Sequence, residues 1–160
     1  MDDQVQIRPF GQSLPMALLR AREASMRLFR PMLAANGLTE QQWRVLRALV
    51  SSDTPMEVSV IAERTFLLGP SLSRILANLT DRGYIRRESD ARDHRRSQVS
   101  ISPEGLALVR RVAPLAEDIY SAIERQFGTD RLSDLMVLLA DMAQLRVEQS
   151  PSAAASNGDV

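Results

Sequence analysis

Residues 85–105 read IRRESDARDHRRSQVSISPEG. Two short segments rich in β-forming residues, 85–88 and 98–101, flank a loop with a net positive charge. The arginines of this loop are Arg92, Arg95 and Arg96. The order predicts a β-hairpin with a positively charged tip. Because phosphates and a narrow minor groove both attract guanidinium groups, such a tip suits duplex DNA.

The segment before the hairpin has the pattern of a helix–turn–helix. A short helix is predicted over 58–65, a turn over 66–69, and a second helix from Pro70 to about Arg82, where Gly83 ends it. The polar side of this second helix offers side chains for base edges and phosphates. These candidate DNA contacts are Ser71, Ser73, Arg74 and Asn78. The same face would also suit a solvated core helix, but the adjacent basic hairpin favours DNA.

Two helices are predicted before this unit. Ser13 and Pro15 are typical of a helix start, and Gly37 is typical of a helix end. The first helix carries apolar residues on two sides, so it must pack against two surfaces. The stretch Thr39–Gln42 has the form of a capping box and begins the second helix.

Two more helices are predicted after the hairpin. Ser102 and Pro103 begin a long helix that continues to about Phe127, with a bend at Pro114. A last apolar helix follows Gly128. Together with the first helix, these two carry more apolar surface than a small DNA-binding unit can cover. The excess surface predicts pairing with a second copy of the chain.

The predicted architecture is mainly α, a winged helix–turn–helix with six helices and a wing of two or three β-strands. We expect it to form a homodimer through its N- and C-terminal helices. The boundaries are a flexible arm over 1–12, the domain over 13–148 with its DNA-binding unit at about 55–102 and dimerisation helices at 13–36 and 103–148, and a disordered polar tail over 149–160.

The composition of the chain limits the classes of function that it can have. The chain has no cysteine and one histidine, His94, so no thiolate or His-rich metal centre is expected, and no cofactor or catalytic residue is indicated. Neither a signal peptide nor a transmembrane run is evident, which predicts a cytoplasmic protein away from membranes. The net charge is zero, yet residues 70–98 hold seven arginines and four acids. Positive charge is thus concentrated on the predicted DNA-binding unit.

Three motifs resemble the MarR-type transcriptional regulators. They read LTDRGYI over 79–85, DARDHRR over 90–96 and ISPEG over 101–105, and the resemblance extends over about 13–148. Within the family, the stretches 21–31 and 38–44 look like the subgroup of homoprotocatechuate-degradation repressors. The resemblance implies a triangular homodimer on a pseudo-palindromic operator, with each recognition helix in a major groove.

The resemblance also implies roles for two residues of the wing. Asp93 would hold Arg95 by a charge-assisted pair while that arginine reaches the flanking minor groove. The alternative is that Asp93 and Arg95 only close the hairpin turn. Separately, the whole unit could be a winged-helix module for protein assembly, although such a module would not require three arginines at its tip.

An effector site is predicted at the first helix. Arg22 lies on a mostly apolar helix face, and a guanidinium there needs a partner. Similar regulators that sense aromatic acids hold the ligand between the first two helices and the DNA-binding unit, which implies a small phenolic or aryl carboxylate here. The candidate lining is Arg22, Ser25, Met26, Phe29, Trp43 and Arg44.

Other interpretations of this site stay open. Arg22 could instead bond helix-terminal carbonyls or a glutamate of the second subunit, and Trp43 could be plain core. The function that these residues indicate is a repressor of an aromatic-acid catabolic operon, relieved by its ligand. The alternatives are a MarR-type regulator of an unrelated ligand and the assembly module.

Overall fold

A computed structural model describes residues 7–89 and 97–145. Its elements, in chain order, are a 3₁₀ helix at Phe10–Gln12, α1 (Leu14–Ala35), α2 (Glu40–Val50), β1 (Met56–Glu57), α3 (Val58–Thr65), α4 (Gly69–Asp81), β2 (Ile85–Ser89), β3 (Ser97–Ile101), α5 (Pro103–Phe127) and α6 (Thr129–Ala143). The predicted mainly α fold, with six α-helices and a small sheet, is confirmed. The chain divides into two compact units after Tyr120, within α5.

The second helix begins where the sequence predicts. The Thr39 hydroxyl accepts a hydrogen bond from the Gln42 backbone N–H at 3.2 Å, and the Gln42 side chain accepts one from the Thr39 N–H at 2.9 Å. This reciprocal capping box begins α2 as predicted. Before α1, the described residues include the 3₁₀ helix, and Arg20 donates to the Gly11 carbonyl at 3.2 Å.

The sheet has the antiparallel order β1-β3-β2. Met56 and Arg87 both lie opposite Val99, one on each side of the central strand. The sequence predicts a wing of either two or three strands. The structure has three, and the third is the two-residue β1 that immediately precedes α3. The wing is therefore joined through β1 to the start of the helix–turn–helix.

One face of α4 lies in the core. Leu72, Leu76 and Leu79 of this helix are buried, as their spacing predicts. They join fully buried side chains of the other elements, namely Leu33, Leu46, Ile61, Val99 and Val112. The opposite face of α4 is consequently fixed towards solvent.

The base of the wing is fixed to the end of α4 by Ser102. Its hydroxyl donates to the Gly83 carbonyl at 2.6 Å and accepts from the Gly105 N–H at 3.0 Å, which caps α5. Its own N–H donates to the Tyr84 carbonyl at 3.0 Å. At Gly105 a Cβ would collide with the Tyr84 carbonyl oxygen, so this position requires glycine. These contacts explain the serine and the glycine of the ISPEG motif.

Candidate nucleic-acid interface and effector cavity

The first turns of α4 present an open polar face. Ser71, Ser73 and Arg74 are exposed on the side opposite the buried leucines. Within the described part of the chain, Arg74 has no acidic partner and no side-chain hydrogen bond. Its guanidinium can therefore turn to a base edge or a phosphate without breaking a bond.

The C-terminal half of α4 is bonded to the protein. Asn78, a candidate DNA contact, accepts a hydrogen bond from the Gln42 side chain of α2 at 2.7 Å. Its side-chain oxygen is thus bonded within the protein. Arg82 donates to the Gly37 carbonyl at 2.8 Å, and its guanidinium lies 4.8 Å from the Tyr84 ring centroid. Contact between Asn78 and DNA stays a prediction.

The tip of the wing carries the remaining candidate DNA contacts, Arg92, Asp93, Arg95 and Arg96, and these lie outside the described residues. The described part of β2 adds two exposed arginines, Arg86 and Arg87, which the sequence analysis did not select. Arg87 contacts the Ser97 hydroxyl across the hairpin at 3.4 Å. The positive charge of the wing therefore extends down its outer strand.

A cavity of about 420 Å³ lies beside α1 and α2. All six candidate effector residues, from Arg22 to Arg44, line it. Six further residues complete the wall, namely Glu40, Arg47, Ala48, Ser51, Arg64 and Tyr120. The structure thus brings the predicted set together in one place, while binding of a ligand there stays a prediction.

Aromatic rings form the apolar side of the cavity. Phe29 and Trp43 are buried, and the Phe29 ring centroid lies 4.9 Å from that of Tyr120, with the two planes inclined by 57°. Such a tilted pair is a favourable aromatic geometry. The Tyr120 hydroxyl accepts a hydrogen bond from Arg47 at 3.1 Å, so a cation stands at the edge of the aromatic group.

Glu40 is the centre of an ion-pair network in the cavity wall. Its side chain is only 13% exposed and pairs with three arginines. Arg44 lies at 2.7 Å and Arg30 at 3.3 Å, and Arg22 completes the set. Arg22 also pairs with Glu23 at 2.8 Å. Within its own chain, the partners of Arg22 are therefore these two acids.

Arg44 connects the cavity to the helix–turn–helix. One of its nitrogens binds Glu40, and the other donates to the Thr65 carbonyl at 2.9 Å. Thr65 is the last residue of α3, and the next residue, Phe66, adopts the left-handed conformation with φ of 54° that begins the turn to α4. A change at Arg44 therefore reaches the turn directly.

Sequence reasoning missed half of the cavity wall for identifiable reasons. Arg47 and Ser51 follow Trp43 at successive intervals of four, so helical spacing on α2 could have found them. Arg64 and Tyr120 come from α3 and α5, and no local pattern relates these distant elements to α1.

Comparison with known proteins agrees with this architecture. The model of the MarR family matches residues 36–96. The homoprotocatechuate degradative operon repressor of Escherichia coli is 39% identical over 133 residues, which cover 83% of this chain and 89% of that protein. The chain belongs to the MarR family. The resemblance drawn from the three motifs is thereby confirmed, including its subgroup.

Two solved structures extend the comparison. NadR in complex with 4-hydroxyphenylacetate is 31% identical, with a TM-score of 0.74 over 89% of this chain and 100% of that one. The repressor CouR bound to a 23-mer DNA duplex is 25% identical, with a TM-score of 0.76 over 88% of this chain and 99% of that one. In this MarR-family chain, none of the described helices has the length and apolar content needed to cross a bilayer.

Proposed function

We propose that this chain is a DNA-binding repressor in the cytoplasm, without enzymatic activity, whose operator affinity falls when a small aryl carboxylate enters the cavity. The observation that carries the proposal is the cavity itself: aromatic and cationic side chains line it, and Arg44 bonds its wall to the helix–turn–helix. Related regulators named for a homoprotocatechuate operon and solved with 4-hydroxyphenylacetate support this class of ligand.

On the DNA side, α4 enters the major groove through Ser71, Ser73 and Arg74. In the wing, Arg95 reaches the minor groove with Asp93 holding it, and Arg92 and Arg96 meet phosphates. Two copies bind a pseudo-palindrome with half-sites about one helical turn apart. Exposed apolar side chains on α1 and α6 support the homodimer; they include Leu14, Leu18, Leu28, Leu135 and Met136.

On the effector side, we assign the carboxylate to Arg47 together with Arg22, rather than to Arg22 alone. Arg47 lines the cavity next to the Tyr120 hydroxyl and has no acid partner within residues 7–89 and 97–145, whereas Arg22 already holds two acids. The aryl ring packs between Phe29, Trp43 and the thioether of Met26. A guanidinium gives such an acid two parallel hydrogen bonds.

Titration of operator binding with salt tests the DNA side. A protein with several phosphate contacts loses about a thousandfold or more in affinity between about 50 and about 200 mM salt. A winged-helix assembly module predicts no operator binding at any salt concentration. Sedimentation of the free protein, expected to give a dimer at micromolar concentration, completes this test.

Calorimetry with 4-hydroxyphenylacetate and its neutral amide tests the effector side. We expect the acid to bind about tenfold or more tighter than the amide, because the amide cannot form the charge-assisted pair. Arg47→Gln should reduce acid affinity by about tenfold while leaving the amide unchanged. Arg27→Gln, an exposed arginine on α1 outside the cavity wall, serves as the matched control. Equal affinities for acid and amide would exclude a carboxylate effector.

A further inference from the structure

The cavity wall contains four arginines and a single acid. The arginines are Arg22, Arg44, Arg47 and Arg64, and the acid is Glu40. Its carboxylate, largely shielded from solvent, holds two of these four, Arg22 and Arg44. The cavity therefore contains a carboxylate of its own, which is already paired with two of its four arginines.

An acidic effector and Glu40 both carry a carboxylate and would compete for the same arginines of the cavity wall. Both offer two oxygens to guanidinium donors, and Arg22 and Arg44 each bring one terminal nitrogen to Oε1 of Glu40, so a second carboxylate must take or share these contacts. Two carboxylates in one partly buried site also repel each other. A neutral analogue neither competes for the arginines nor meets this repulsion.

We propose that Glu40 is a specificity-determining residue of the effector cavity, a built-in carboxylate that an acidic effector must displace from Arg22 or Arg44. This inference rests on the proposed function, namely an aryl acid as the effector. Glu40 lowers the affinity of the cavity for acids without changing its affinity for neutral molecules of the same shape. The resting network thus sets the acid concentration at which the repressor responds.

The position of Glu40 gives this exchange a route to the DNA-binding unit. It is the first residue of α2, and two residues later Gln42 donates to Asn78 on α4. Its partner Arg44 donates to the Thr65 carbonyl before the turn. Release of Glu40 from Arg44 therefore acts on the residue that bonds the end of α3, and Glu40 itself lies two residues from the one that bonds α4.

Calorimetry with variants of the full chain tests the proposal. Glu40→Gln keeps the shape of the side chain and removes its charge, so affinity for 4-hydroxyphenylacetate should rise by about five- to twentyfold. Affinity for the amide should change by less than about twofold, since a neutral ligand meets no repulsion. The matched control is Glu23→Gln, which also removes a partner of Arg22 and Arg30 but lies outside the cavity wall, and it should leave both affinities unchanged.

Each outcome decides between the two proposals. If the wild type prefers the acid but Glu40→Gln does not tighten it, or Glu23→Gln tightens it equally, the role of Glu40 is overturned and the proposed function stands. If neither wild type nor Glu40→Gln binds the acid, both are overturned. If Glu40→Gln does not fold, a crystal structure of the wild type with the acid decides: the role requires Glu40 to have left Arg22 or Arg44, and an intact network refutes it.

Discussion

The arginines of the cavity wall and the arginine on the exposed face of α4 differ in whether an acid is bonded to them. Arg22 and Arg44 are bonded to Glu40, so each already holds a carboxylate. Arg74 projects from the first turns of α4 with no acidic partner in the described chain. The residue type is the same. A guanidinium paired with a neighbouring acid contributes to the contacts within the chain, whereas one without such an acid can bind a ligand. Charge counts along a sequence do not make this distinction.

The same contrast divides α4 along its length. Its first turns are open, while Asn78 and the following Arg82 are bonded to α2 and to the Gly37 carbonyl. One half of the helix is thereby free to contact DNA, and the other half keeps the helix in place.

The largest expected effect separates the buried face of α4 from its exposed face. Leu76→Ala removes a fully buried side chain and should lower the free energy of unfolding by about 2–5 kcal/mol. Ser73→Ala, on the exposed face, should change it by less than about 0.5 kcal/mol. Urea unfolding followed by circular dichroism measures both. Equal losses would mean that the two faces of α4 are not distinct.

The next effect concerns the free arginine. Arg74→Ala should weaken operator binding by roughly 1–3 kcal/mol and relax sequence preference, with unfolding unchanged. Arg110→Ala, an exposed arginine on α5, is the control and should bind as the wild type does. Fluorescence anisotropy with operator and scrambled duplexes gives both affinities. A loss of the same size on both duplexes would make Arg74 a phosphate contact.

The smallest effect concerns an exposed ion pair at the edge of the network. The hydrogen bond from Arg30 holds the pKa of Glu23 below its ordinary value. Because the folded pKa is the lower one, the pair contributes stability above the ordinary glutamate pKa and loses it as the pH falls through the folded value. Glu23→Gln should therefore show slightly weaker pH dependence of its melting temperature at acidic pH. A steeper dependence than that of the wild type would contradict the pairing.

Sequence reasoning reached the fold because its signals are local. The capping box at Thr39, the spacing of Leu72 and Leu76, and Ser102 with Gly105 each specify a feature within one turn or one motif. Six of the twelve cavity residues were also identified, all of them on the first two helices.

The remainder depended on contacts between elements far apart in the chain. Glu40 was read as part of a helix cap. Its pair with Arg44 has the i,i+4 spacing of a single helix, but only the packing of α1 against α2 brings Arg22 and Arg30 to it. Asn78 was assigned to DNA from its helical position, yet its hydrogen bond joins residues separated by 36 positions. A pattern that describes one helix cannot specify a partner on another.

The clamp formed by Ser102 has a mechanical consequence. Because this residue binds the Gly83 carbonyl and caps α5, hydrogen bonds link the end of α4, the foot of the hairpin and the start of α5. On DNA, a rotation that lifts the helix from its groove would lift the hairpin from the adjacent groove in the same movement. Each half-site would then detach in a single step.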